Sequence, residues 1–162
     1  MSSPLPEGIW SPEDLSELLA DLHRYAEWLS TYQVKQRVAG QTVSMAPPPL
    51  SVRAITCLQQ LQEKQELTQA GVEALVDELQ KFQSRALVIN FTLAGPPSNG
   101  LKKRLILWCR QSIAPEILVS FQFNSTILGG MIVRYGSHIY DWSFRRQILA
   151  KRGSFAEILR NV

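Results

Sequence analysis

The chain has 162 residues, 45% of them hydrophobic, which is enough for one medium domain or two small ones with a buried core. No apolar run approaches the ~20 residues of a membrane span, and the opening MSSPLPEGIW has neither a signal-peptide nor a transit-peptide pattern, so the expected compartment is the cytoplasm. The net charge is a mild +3, but it is unevenly spread: the N-terminal helical stretches are acidic, and basic residues collect after position 100.

Residues 1–10 read as a disordered lead. Ser11-Pro12-Glu13-Asp14 is a strong helix start, with a serine cap, proline at the first helical position and two acids where the helix dipole favours them. Leu15, Leu18, Leu19, Leu22, Tyr25, Ala26 and Leu29 then recur at three and four, giving one apolar stripe that packs in its own bundle or receives an amphipathic partner helix. Periodicity weakens after Ser30, and the Pro-rich break at 40–50, GQTVSMAPPP and its flanks, stops any helix. Ser51 caps a second predicted helix with Val52, Ile55, Leu58 and Leu61 on its apolar face. Thr68 caps a third, carrying Val72, Leu75, Val76, Leu79 and Phe82. The short EKQEL connection makes them antiparallel.

Leu87 to Leu93 alternates as a strand, and a helix follows from about Asn99 to Ser112 with Leu101, Leu105, Trp108 and Cys109 on one face. A second strand has Ile117, Val119, Phe121 and Phe123 on one side, and Met131 to Tyr135 is apolar enough for an inner strand beside it. Gly129 and Gly130, without Cβ atoms, suit a bulge or a close crossing of backbones between the two. Gly136-Ser137 makes a tight hairpin to His138–Tyr140, and Asp141 or Ser143 caps a closing helix. The expected class is α+β: a shortened N-terminal helical bundle over 11–85, then a small C-terminal β-α-β-β-β-α domain over 86–152. Residues 153–162 follow as a helical extension whose apolar face is Phe155, Ile158 and Leu159.

No catalytic, cofactor-binding or metal constellation is expected. Cys57 and Cys109 fall in no C-x-x-C pair and read as free buried thiols. His23 pairs with Glu27 on a helix surface in preference to ligating a metal. The glycine pair precedes a strand, whereas phosphate loops open onto a helix. His138 and Asp141 lack any nucleophile elbow. The basic groups Lys102-Lys103-Arg104, Arg110, Arg145-Arg146 and Lys151-Arg152 have three readings: a solvated face, a dock for an acidic partner helix, or, with Trp108, Tyr135, Tyr140 and Trp142, a nucleic-acid surface.

The run Asn124-Ser125-Thr126-Ile127-Leu128-Gly129-Gly130, the hairpin after it, and Ile139-Tyr140-Asp141-Trp142-Ser143-Phe144-Arg145 resemble the C-terminal signature of the ATP synthase delta subunit, called the oligomycin-sensitivity-conferring protein in mitochondria. The matching positions are Leu128, Gly129, Gly130, Val133, Arg134, Gly136, Ile139, Asp141, Ser143, Arg145 and Ile148 or Leu149. Asn124 stands where Asp is usual, Trp142 where Gly is usual and Arg146 where a small residue is common. The family's N-terminal domain is a six-helix bundle, and this chain has room for three or four helices before position 85.

What the resemblance implies is a non-catalytic stator subunit of a bacterial F-type ATP synthase, peripheral on the cytoplasmic face of the cell membrane and held there only through the complex. Its partners in that family are the N-termini of the alpha subunits, in the F1 head, and the C-terminus of the peripheral-stalk b subunit. On this chain's own residues, the candidate sites for such contacts are Leu15, Leu18, Leu22 and Tyr25 for the alpha subunits, and Trp142, Arg145 and Arg146 for the stalk. No cofactor and no nucleic acid are expected; the alternatives are a basic nucleic-acid-binding module or a free-standing helix-binding adaptor.

Overall fold

The computed structural model describes residues 6, 8–39, 44–64 and 66–152, and it is a mixed α+β chain. Two compact units divide it, Met1–Ala86 and Leu87–Val162.

The first unit holds α1 (Pro12–Ala39), α2 (Val52–Glu63) and α3 (Gln69–Arg85). Helix α1 starts on a reciprocal cap: Ser11 Oγ accepts from the Asp14 amide, and the Asp14 carboxylate accepts from the amides of Trp10 and Ser11. Residues 8–10, expected within a disordered lead, are tied in. Ile9 is fully buried, and the Gly8 carbonyl accepts from Arg53 Nε at 3.0 Å. The helix also runs past Ser30, where its apolar periodicity weakens, to Ala39. Its last turns have no proline or glycine to break them, and they carry exposed Val34, Lys35 and Val38. Of the expected break, 40–43 lie outside the described residues and 44–50 carry no regular structure.

Helices α2 and α3 begin on Ser51 and Thr68, whose hydroxyls accept from the amides of Ala54 and Gly71. The buried face of α2 is Ala54, Cys57, Leu58 and Leu61, so the expected face is rotated: Val52 is 80% exposed and Ile55 is also open. Small Ala54 and Cys57 let α2 approach closely, a signal that a count of large apolar residues misses. Helix α3 buries Val72, Val76, Leu79 and Phe82 as expected. Arg53 pins α2 to α1 through Asp14 at 2.8 Å and Glu17 at 2.9 Å. Asp21, almost fully buried, accepts from the Ser51 amide at 2.8 Å and pairs with Arg24. His23 lies 3.0 Å from the Gln80 amide on α3, so its partner is across the helix pair and not Glu27.

Gly71 sits where a Cβ would strike the Glu66 carbonyl oxygen, part of the backbone that turns α2 into α3. Alanine normally stabilises a helix interior by about 1 kcal/mol over glycine. Here the sign is expected to reverse: Gly71→Ala should cost about 1–3 kcal/mol in urea unfolding of the first unit. A stabilised variant would show that this turn gives way freely.

The second unit carries β1 (Val88–Leu93), α4 (Asn99–Ser112), β2 (Leu118–Phe123), a short 3-10 turn at Ser125–Ile127, β3 (Met131–Tyr135), β4 (His138–Asp141) and α5 (Phe144–Ala150). The four strands form one mixed sheet in the order β2-β1-β3-β4. Strand β1 pairs parallel with β2, Ile89 opposite Val119 and Phe91 opposite Phe121, and antiparallel with β3, Phe91 opposite Val133. The expected pairing of β2 with β3 is therefore corrected. Strand β1 alternates buried and half-buried residues along its length and takes the centre. The connection over residues 124–130 carries the chain across its end, a distance of about two strand spacings, or ~10 Å. On α4, Ile106 and Cys109 are buried, whereas Trp108, expected on the buried face, is 55% exposed. The expected helical extension over 153–162 lies outside the described residues.

Candidate partner-binding surface

The conformationally demanding stretch of the second unit begins after Ile127. Leu128, Gly129 and Gly130 have successive positive φ angles of 65°, 152° and 74°. Only glycine adopts such angles freely, so this run is locally strained unless the surroundings hold it. They do hold it. The Leu128 amide donates to the Ser125 carbonyl, Asn124 Oδ1 accepts from the Thr126 amide and hydroxyl, and the Phe144 amide donates to the Gly129 carbonyl at 3.0 Å. A Cβ on Gly130 would strike the Trp142 carbonyl, and one on Gly129 would strike the Phe144 ring. The close approach expected of the glycine pair thus exists, but against the β4–α5 junction.

That junction has its own lock. Asp141 Oδ1 accepts from the Ser143 amide at 2.8 Å, Ser143 Oγ accepts from the Arg146 amide at 3.2 Å, and Arg146 Nη1 reaches back to the Asp141 carbonyl. Of the two expected caps, Ser143 caps α5, while Asp141 fixes the turn before it. Hydrogen bonds from Ser143 to the Asp141 carboxylate hold its pKa below the usual carboxylate value, helped by the charges of Arg146 and Arg145. A depressed folded-state pKa stabilises above the ordinary carboxylate pKa, and the contribution is lost as pH falls through the lowered value. The Ser143 amide shift should therefore titrate with a midpoint below ~3.9 in Asp141's favour, and Asp141→Asn should flatten that curve. A midpoint at or above the ordinary value would remove this lock.

Around the junction the surface is apolar and aromatic. His138 and Tyr140 on β4 and Trp142 just after it alternate and so share one face; their neighbouring ring centroids lie 6.4 and 5.8 Å apart with planes within 20°. Trp142 is 55% exposed, and Leu128, Ile139, Phe144, Ile148 and Leu149 are exposed as well. Arg145 and Arg146 are exposed beside them. Of the signature residues, Leu128, Gly129, Gly130, Asp141, Ser143 and Arg145 come together at this junction, whereas Gly136 sits in the hairpin turn with φ 55°. His138 and Phe144 belong to this surface without having been expected there, and Tyr140 was expected only in the nucleic-acid reading. Their period-two spacing with Trp142 was the available signal.

The first unit corrects the other site. Leu15, Leu18 and Leu22 are fully buried in the core, so they cannot be offered to a partner. Tyr25 is half-buried, its ring 5.4 Å from Trp28, which stacks on Tyr32 at 5.2 Å. The open apolar part of α1 is this later aromatic stretch. Desolvation raises the thiol pKa values of Cys57 and Cys109, which lowers the thiolate fraction that nucleophilic chemistry requires. Among the described residues no group of three or more His, Cys, Asp and Glu side chains is placed to hold a metal, and no helix is long and apolar enough to cross a membrane.

Charge separates the units more sharply than composition suggested. Residues 1–86 carry seven Lys and Arg against eleven Asp and Glu, and residues 87–162 carry ten against three, giving net charges of −4 and +7. In comparisons with known proteins, the chain matches no family model and no curated protein sequence.

Proposed function

We propose that the chain is a stator subunit of the ATP synthase delta type, joining the catalytic head to the end of the peripheral stalk. The observation that carries this reading is the convergence of signature residues: the left-handed Leu128-Gly129-Gly130 run and the Asp141–Ser143–Arg145 segment, twelve or so positions apart in sequence, close on each other through backbone contacts. A shared signature whose members are structurally interdependent is a stronger argument than spacing alone. In this reading the three helices of the first unit are a shortened head-binding bundle, and the second unit is the stalk-binding domain. The stalk end meets the exposed surface of Trp142, Arg145 and Arg146, and the alpha-subunit N-termini meet the open half of α1 from Tyr25 onward. Docking of this kind needs buried apolar area and complementary charge, without a reactive group.

The test is affinity purification of the tagged chain from detergent-solubilised membranes of its own organism. Co-elution of alpha, beta and b subunits with ATPase activity is the expected result; an eluate without them overturns the stator reading. The charge of the second unit and its exposed aromatic residues favour one competing reading, a single-stranded nucleic-acid surface. That reading predicts retention on immobilised single strands that falls steeply with salt, whereas a stator subunit flows through at low salt.

A further inference from the structure

Strand β4 is an edge of the sheet, with no strand on its outer side among the described residues. The register fixes which of its backbone groups face outward. The Trp142 amide donates to the Met131 carbonyl, and stepping by two along the antiparallel pair leads through Tyr140 opposite Val133 to His138 opposite Tyr135. Residues 138, 140 and 142 thus turn their amides and carbonyls toward β3, and Ile139 and Asp141 turn theirs outward. Arg146 Nη1 on the Asp141 carbonyl agrees with that orientation and engages that oxygen, so an added strand would pair chiefly with the Ile139 amide and carbonyl and the Asp141 amide. Natural edges are commonly blunted by lysine, proline or a bulge. The sequence of β4, HIYD, has neither lysine nor proline, its pairing with β3 is unbroken over all four residues, and Ile139 and Tyr140 are exposed.

Charge selects the occupant. Arg134 is exposed and lies opposite Ile139, and Arg146 stands at the end of the strand. Asp141 is the only carboxylate on β3, β4 or α5, and it already accepts from the Ser143 amide. A second copy would set one +7 unit against another. Nucleic acid would offer phosphates to the cations but no alternating row of amides and carbonyls to the edge.

We propose that β4 accepts an acidic, extended peptide segment as an added strand of this sheet. The segment's apolar residues lie along His138, Tyr140 and Trp142, and its carboxylates lie on the Arg134 side. Main-chain pairing supplies affinity and the alternating side chains supply selectivity. This surface is shared with the stalk reading, but the inference stands without it, since it concerns the conformation and charge of the bound segment and not the protein it belongs to.

The experiment titrates the full chain into a labelled peptide of alternating glutamate and valine, followed by fluorescence anisotropy. Methylating the peptide nitrogens that face β4 is expected to weaken binding by about tenfold or more, and methylating the opposite set to leave it intact. Binding should protect the Ile139 and Asp141 amides from hydrogen exchange. Ile139→Pro, which removes an outward donor and no ladder bond to β3, should lose the peptide at unchanged melting temperature. Should that variant fail to fold, the methylated series on the unaltered chain decides. Equal binding of both methylated peptides would reduce the surface to a charge patch and overturn the proposal. So would preference for a helix-forming acidic peptide of the same composition, displacement of the peptide by oligothymidylate, sedimentation as a dimer through this edge, or no binding. A failed membrane purification leaves this result untouched, and a failed titration leaves the stator reading untouched.

Discussion

Replacing Gly130 by valine is expected to unfold the second unit while leaving the first folded. The residue has φ 74°, which a β-branched side chain adopts only at a large cost. A Cβ there would strike the Trp142 carbonyl and approach Ser143 Cα to 3.3 Å, so every obstacle is backbone. That backbone cannot withdraw cheaply, since the Trp142 amide is bonded to Met131 and the Phe144 amide to Gly129. Strain and clash together should remove about 4 kcal/mol or more, enough to unfold a small unit of ordinary stability. Gly129→Ala is the graded control. Its obstacle is the ring of Phe144, an exposed side chain able to swing aside, so about 1–3 kcal/mol is expected. Two-dimensional amide spectra measure both: the valine variant should lose dispersed signals of residues 87–152 and keep those of α1 to α3. Retention of the full spectrum at wild-type melting temperature would show that the junction is not closed as described.

Local chemistry was legible in the sequence wherever one residue decides a local outcome. Ser11, Ser51 and Thr68 cap the helices they announce, because a short hydroxyl before an apolar run leaves few alternatives. The Gly136-Ser137 hairpin and the close approach at the glycine pair were readable for the same reason. Sheet order was not. Both β1 and β2 read as apolar strands, and nothing local says that the central place goes to β1 and that β3 joins it on the side away from β2. That is decided by which strand covers most area on both edges, a property of the whole unit. The rotated face of α2 has a similar origin: Ala54 and Cys57 are buried because a neighbouring helix comes close, while Val52 at the first position has nothing above it. The candidate site divides the same way. Trp142, Arg145 and Arg146 are exposed where expected, but Leu15, Leu18 and Leu22 turned inward, because the helix stripe that could receive a partner is the one that the chain's own helices fill first.

Trp142→Ala separates a binding role from a structural one. The indole is 55% exposed and its backbone amide, not its ring, makes the bond to Met131, so truncation leaves the β4–α5 junction in place. The ring contact to Tyr140 is the main loss within the chain, and stability should change by no more than about 0.5 kcal/mol. Aromatic anchors at the centre of an interface typically contribute 2 kcal/mol or more, so under the stator proposal the dissociation constant for the C-terminal segment of the organism's b subunit should rise by about thirtyfold. Trp108 on α4 supplies the comparison. It is equally exposed at 55%, lies outside the signature segment, and its alanine variant should bind as the unaltered chain does. An affinity loss of the same size in both variants would point to general surface stickiness, and an unchanged affinity for Trp142→Ala would move the stalk contact away from β4. If only Trp142→Ala weakens binding, the exposed end of the aromatic row is the anchor.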